Sequence, residues 1–240
     1  MIILKKLIIL CLVVLSCFLV SVSFINYNDI LDNISSENKL NNKNLTVIVD
    51  AGHGGFDGGA STEDGVTEKG INLNIALYLK EYLNFFGFNV VMTRETDTST
   101  ESEGLTTIRS KKSSDLHNRM SLMEETDNAI FVSIHQNHFS SPKYKGAQVF
   151  YSPEFSEQSS LLAENIQESI VYYLQKDNTR QIKPCGTSVY LIYKAIKPAV
   201  LVECGFLSNT EDAENLQNEI YQKKIALCIA IGILNYCEGQ

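Results

Sequence analysis

An α/β fold, a single domain with a mixed, mostly parallel central sheet flanked by helices, is predicted by three features of this sequence. Short apolar runs such as Val47–Val49 and Ala199–Val202 lack polar alternation, as strands covered on both faces do. Longer segments between them repeat apolar residues at helical spacing. The apolar runs also end in histidine, glutamate or glycine, at the edge where open α/β sheets gather ligands.

The chain of 240 residues is long enough for one such domain without disulfide staples. Its formal charge of -8, with scattered lysines and arginines, lacks the basic stripe of a nucleic-acid binder, so no nucleic-acid partner is expected. Cys185, Cys204, Cys228 and Cys237 have neither CxxC spacing nor a dense framework and read as isolated core thiols, with a single bridge left open. Residues 1–25 carry two lysines, Lys5 and Lys6, ahead of an apolar run from Leu7 to Val22, the pattern of an export signal or a membrane anchor. Cleavage and retention both remain open, and Leu15 and Ser16 make only a loose lipobox before Cys17. Residues 26–43 turn to Asn, Ser, Asp and Lys and read as a polar linker. The folded region is therefore placed at 44–240, outside the cytoplasmic membrane.

Its first strand, at Val47–Val49, runs into a turn with Gly52, His53, Gly54, Gly55, Gly58 and Gly59. Glycine lets backbone bend sharply there and holds His53 on a close-approach loop. Glu68 to Phe86 carries Ile71, Ile75, Leu79, Tyr82 and Phe86 on one helical face, with Thr67 as the expected cap and Gly87 as the stop. Glu68 falls in the first turn, where the helix dipole stabilises a carboxylate by roughly 0.3–1 kcal/mol. Phe88–Met92 reads as a second strand, Thr93–Ser114 as a long polar loop, and residues 115–126 as a short helix with His117 on its surface. Arg119, on that helix, is either structural or a substrate-edge cation. Ala129–Ile134 is a strand ending at His135, followed by Asn137 and His138. Strands at Gly146–Tyr151 and Thr187–Tyr193, and helices at Ser156–Lys176 and Ile220–Cys237, complete the pattern, with Ser208 or Asn209 as a cap beyond the strand at Ala199–Val202. That strand closes on Glu203, and a carboxylate there is costly unless paired or working.

Two imidazoles and a carboxylate are what a catalytic zinc takes, with a further carboxylate to activate its water. The sequence separations alone do not prove such a site. Two other readings use the same residues: a zinc peptidase of carboxypeptidase type, whose first ligands sit close together as HxxE, and a non-catalytic wall-binding module.

The residues also carry a resemblance. DAGHGG at 50–55, VTEKGINLNIA around Glu68, VSIHQN at 132–137 and LVECGFLSN at 201–209 resemble, in order, the four motifs of the zinc-dependent N-acetylmuramoyl-L-alanine amidases of the amidase 3 group. The resemblance implies Zn²⁺ held by His53, Glu68 and His135, with Glu203 as catalytic acid/base. It implies hydrolysis of the bond between N-acetylmuramic acid and L-alanine in peptidoglycan. Asn137 keeps the family residue and is expected at the substrate with Arg119; His138 departs from the small residue usual there and is expected beside the pocket rather than as a fourth ligand. The short form, without wall-binding repeats, is most similar to the spore-cortex members, which act in forming muramic δ-lactam for germination. An enzyme of this form is expected to depend on its membrane segment or on an activator protein at the membrane surface to reach an immobile wall.

Overall fold

The computed structural model describes residues 44–239, so the expected export or anchor segment (1–25) and linker (26–43) lie outside the described residues. The strands are β1 (Thr46–Ala51), β2 (Asn89–Met92), β3 (Ala129–Asn137), β4 (Gln148–Tyr151), β5 (Lys183–Pro184) and β6 (Ala199–Phe206). The helices are α1 (Glu68–Phe85), α2 (Ile108–Glu125), α3 (Ser156–Tyr173), α4 (Tyr190–Tyr193), α5 (Thr210–Gln217) and α6 (Glu219–Glu238). The sheet has the order β2-β1-β3-β6-β4-β5. Its pairs are parallel except β4 against β6, giving the mixed, mostly parallel sheet expected from the sequence. No helix among the described residues is long and apolar enough to cross a membrane.

Strand alternation sends successive side chains to opposite faces. On one face Val47, Val49, Ile130, Val132, Ile134, Val200 and Val202 pack with Ile75 and Leu79 of α1, Leu162 and Ile166 of α3, and Ile229 and Ile233 of α6. Helices α3 and α6 approach so closely that a Cβ on Gly232 would lie 2.5 Å from Ile166 Cα. On the other face Ile48, Phe131 and Leu201 meet Met120 and Met123 of α2 and Leu191 and Ile192 of α4.

Two segments differ from the sequence reading. Helix α2 starts at Ile108, inside the stretch read as a loop, because Thr107 caps it by accepting from the Ser110 amide at 3.1 Å. Only Arg119, Met120 and Met123 of α2 are buried, so the helix has almost no apolar periodicity to read. The expected strand at Thr187–Tyr193 is instead a turn leading into α4, closed by Tyr193 N–H donating to Val189 O at 2.8 Å. A short apolar run does not by itself separate a buried strand from a buried helical turn. Thr67 occupies the expected N-cap of α1 without a side-chain cap bond, whereas Asn209 caps α5 by accepting from Asp212 N–H at 3.0 Å. Gly87, with φ of 88°, ends α1 as expected.

Candidate active site

The alternation that gives β1, β3 and β6 their second apolar face carries Asp50, Ser133, His135 and Glu203 on that same face, toward the C-terminal ends of these strands. Asp50 is 1% exposed and accepts from Arg119 Nη1 at 2.5 Å, Ser133 Oγ at 2.5 Å and Thr93 Oγ1 at 2.8 Å. Burial pushes its pKa up, but the Arg119 charge and the Ser133 hydroxyl overcome that and hold it below the usual carboxylate value. This buried pair forms a floor beneath the glycine turn.

The turn itself is held from below by two arginines. Arg94 donates to Ala51 O, Gly52 O, His53 O, Lys69 O and Thr96 O, and Arg119 to Ala51 O and His53 O. So clamped, His53 takes φ of 61°, a left-handed conformation that is uncommon for a residue with a Cβ. Two glycines make room for the groups that converge. A Cβ on Gly52 would fall 2.2 Å from His135 Nε2, and one on Gly59 would fall 2.5 Å from Glu68 Oε2 and 2.7 Å from His53 Cδ2.

Glu68, first residue of α1 and 3% exposed, lies between the two imidazoles. Its Oε2 is 3.2 Å from His53 Nε2 and its Oε1 3.0 Å from His135 Nδ1. The amides of Ala60 and Gln136 and the side chain of Asn72 also donate to it, which fixes both oxygens. Although burial raises its pKa, bonding to His135 and His53 lowers it well below the carboxylate range. The ligand-type atoms of His53, Glu68 and His135 all lie within 4.8 Å of one another. Asp57 accepts from His53 Nδ1 at 3.0 Å and meets Lys112 Nζ at 3.0 Å, leaving His53 Nε2 directed inward. A carboxylate behind a histidine orients the ring and raises its basicity as a metal ligand. Burial pulls the His53 pKa down, but Glu68 and Asp57 lift it to about 9, and a metal at this position replaces the bound proton. The donor set thus fits a divalent metal ion of the kind that two imidazoles and a carboxylate hold.

Glu203 stands opposite His135 in the β3–β6 ladder. Its Oε2 is buried with no hydrogen-bond partner among the described residues. Burial, with the Glu68 charge adding to it, pushes Glu203 up to about 7 against the opposing pull of His135, His53 and Arg180. These groups open into a cleft of about 350 Å³, walled by Lys112 and Leu116 of α2 and by Val189 and Tyr190 at α4. The two segments whose structure departs from the sequence reading therefore form its sides.

The fold brings together His53, Glu68, His135 and Glu203. Arg119, expected at the substrate, borders the cleft but is only 2% exposed, and Asp50, Asp115, Thr93 and two carbonyls accept from all three of its nitrogens, so its donors are spent on the fold. Asn137 is half-buried at the end of β3, where the ladder with β6 is irregular, and its carbonyl accepts from Leu207 N–H at 2.8 Å. His138 is exposed and lines a separate depression, and His117 is an exposed residue of α2. Sequence reasoning missed Asp57 and Asp50. The one signal for Asp57 was an acid four residues after His53 within the glycine turn. Cys185, Cys204, Cys228 and Cys237 are free thiols, three of them buried.

Residues 47–235 match the family model described as N-acetylmuramoyl-L-alanine amidase, Amidase_3. The germination-specific N-acetylmuramoyl-L-alanine amidase of Bacillus subtilis (strain 168) is 37% identical over 190 residues, 79% of this chain and 78% of that relative. Among solved structures, the CwlD amidase from Clostridioides difficile, in complex with the GerS lipoprotein, superposes with a TM-score of 0.78 at 42% identity, over 81% of this chain and 99% of that one. The amidase AmiC2 of Nostoc punctiforme superposes with a TM-score of 0.68 at 30% identity, over 81% and 98%.

Proposed function

The chain belongs to the N-acetylmuramoyl-L-alanine amidase family and acts on peptidoglycan, and from that premise we propose a zinc enzyme of the spore cortex that works outside the cytoplasmic membrane. In this reading His53, Glu68 and His135 hold the zinc, Glu203 is the acid/base, and Asn137 lies within reach of substrate. The observation that carries it is the juxtaposition of three donors within 4.8 Å and the unpartnered Oε2 of Glu203 on one sheet edge.

Bound there, zinc supplies polarisation of the scissile carbonyl and a water of lowered pKa. Glu203 takes a proton from the attacking water and passes it to the leaving L-alanine nitrogen. In the metal-free protein burial raises its pKa to about 7, close to the neutrality at which a group can both accept and return a proton. Asp57 holds His53 by Nδ1, and Asn72 and two main-chain amides hold Glu68, so the metal-binding atoms are positioned before substrate arrives. The products are muramic acid with a free lactyl carboxylate and a stem peptide with a free amino end.

The cortex role is supported by the likeness to a germination-specific relative. A protein partner at the membrane surface is supported by the solved neighbour, itself a complex with a lipoprotein. The test is metal analysis of the purified domain together with digestion of purified peptidoglycan and mass analysis of the ends released. Stoichiometric zinc and new lactyl and L-alanine ends are expected. His135→Ala should lower metal content and activity together; full zinc occupancy with unchanged activity would remove His135 from the ligand set.

A further inference from the structure

Three arginines lie around this sheet edge, and they differ in how their donors are used. Arg94 and Arg119 are buried and turned onto the main chain of the glycine turn. Arg180 is half-buried and is fixed along one edge only: Nε and Nη2 both donate to Gln148 Oε1, at 3.2 and 2.5 Å. Its guanidinium carbon sits 4.8 Å from the centre of the Phe206 ring. Gln148 is 2% exposed and is anchored in turn by donating to Gln181 O at 2.6 Å. Among the described residues no carboxylate pairs with Arg180, and Nη1 donates to no acceptor. A rigidly held cation with a free N–H edge is built to receive a planar anion.

Its place in the sheet says which anion. Gln148 pairs with Glu203 across the antiparallel β4–β6 ladder, so their side chains share a face and Arg180 stands one strand beyond Glu203. Adjacent strands are about 4.8 Å apart, and an extended peptide advances about 3.3 Å per residue. A stem peptide leaving the scissile amide and running over Glu203 toward β4 therefore reaches Arg180 within one to three residues. A stem peptide offers its terminal carboxylate, and a further one at any acidic residue it carries.

We propose that Arg180, held by Gln148 and Phe206 beside Glu203, is the residue that recognises a carboxylate of the stem peptide. The lactyl carboxylate of the product is a poorer match, because it forms at the reacting carbon itself rather than a strand away. The inference rests on the reading of Glu203 as the reacting centre, yet the two fail separately. If Glu203 were only structural, Glu203→Gln would keep turnover while Arg180→Gln would still alter substrate preference.

The experiment compares soluble muramoyl peptides that carry the stem acid either free or as its amide. For wild type, Arg180→Gln and Arg180→Lys, kcat and KM are measured on both, with zinc content and thermal unfolding followed in parallel. A charge-assisted bond lost from a half-buried site corresponds to about a tenfold change. The ratio of kcat/KM on acid over amide should therefore fall about tenfold in Arg180→Gln, mainly through KM, and less in Arg180→Lys. Free stem peptide should inhibit wild type more strongly than Arg180→Gln, whereas muramic acid should inhibit both alike. An equal loss on acid and amide substrates would overturn the proposal, as would inhibition by muramic acid, rather than by stem peptide, that depends on Arg180. Should Arg180→Gln fail to fold, the same acid-to-amide ratio in Arg180→Lys as in wild type would overturn it too.

Discussion

The two faces of the sheet are made from the same strands and use them differently. One buries Val47, Val49, Val132, Ile134 and Val202 under three long helices. The other buries Ile48, Phe131 and Leu201 near the strand starts and then, one or two alternations further on, turns to Asp50, Ser133, His135 and Glu203. Its cover is slighter, a polar helix and one helical turn, and the cleft lies between them. An apolar face is stable however its side chains divide the space, so size and periodicity describe it. A polar face buried at a strand end must satisfy every donor and acceptor, and its few unsatisfied atoms mark where something else binds. Among the described residues, one of the two such buried side-chain atoms belongs to Glu203.

The sharpest way to separate the faces is Glu203→Gln, which should remove turnover while leaving fold and zinc in place. General acid/base assistance is worth about 10²–10⁴-fold. A variant that keeps more than about a tenth of the rate would make Glu203 structural. The same change should have the opposite effect on stability in the metal-stripped protein. Because folding raises the Glu203 pKa from 4.5 to about 7, the folded state favours the protonated carboxyl. Stability is then full below about 4.5 and declines as pH rises to about 7, so Glu203→Gln should unfold later than wild type above pH 7 and equally at pH 4. Chemical denaturation at the two pH values reads this directly.

Next in size is Asp50→Asn, which removes the more deeply buried of the two carboxylates paired with Arg119 and leaves it Asp115 alone. Breaking such a pair costs about 3–5 kcal/mol. The sign with pH comes from the lowered pKa of Asp50: its contribution is present above the ordinary value of 3.8 and is lost as pH falls below it through the folded pKa. Wild type and variant should therefore converge in strong acid and diverge by neutrality. On the opposite face Gly232→Ala should cost about 1–3 kcal/mol, because the new Cβ would meet the α3 backbone at 2.5 Å. It should leave metal affinity unchanged, whereas a fall in affinity would mean that the two faces are coupled through the sheet.

Legibility in the sequence divides along the same line. The strands ending at His135 and Glu203 and the glycine turn could be read because each joins an apolar run to an unexpected polar residue. The stripe of α1 could be read from Ile71, Ile75 and Leu79. The cleft walls could not: α2 buries one charged residue and two methionines and has no apolar period, while the run at Val189–Tyr193 is compatible with strand or helix. Arg119 was ambiguous for a different reason. A cation near a site reads alike whether it faces substrate or a buried acid, and its partner Asp50 lies 69 positions away in sequence.

The smallest predicted effect tests that illegible wall. Thr107 accepts from the Ser110 amide at 3.1 Å and so satisfies one of the free donors at the start of α2. The first turns of α2 are otherwise exposed, with Ile108 itself 69% accessible, so little packing holds them in the helix. They nevertheless carry Lys112, which reaches across to Asp57 behind His53. Removing the cap by Thr107→Ala should cost about 0.5–2 kcal/mol, and the loss should be local. Amide exchange should rise in residues 108–112 before it rises in β1 or β3. If the cap orders the wall that supports Asp57, zinc affinity measured against a chelator should fall slightly in Thr107→Ala and by a similar amount in Lys112→Gln, with no further fall in the double variant. Additive losses would show that Lys112 supports Asp57 whether or not the first turn of α2 is held by its cap.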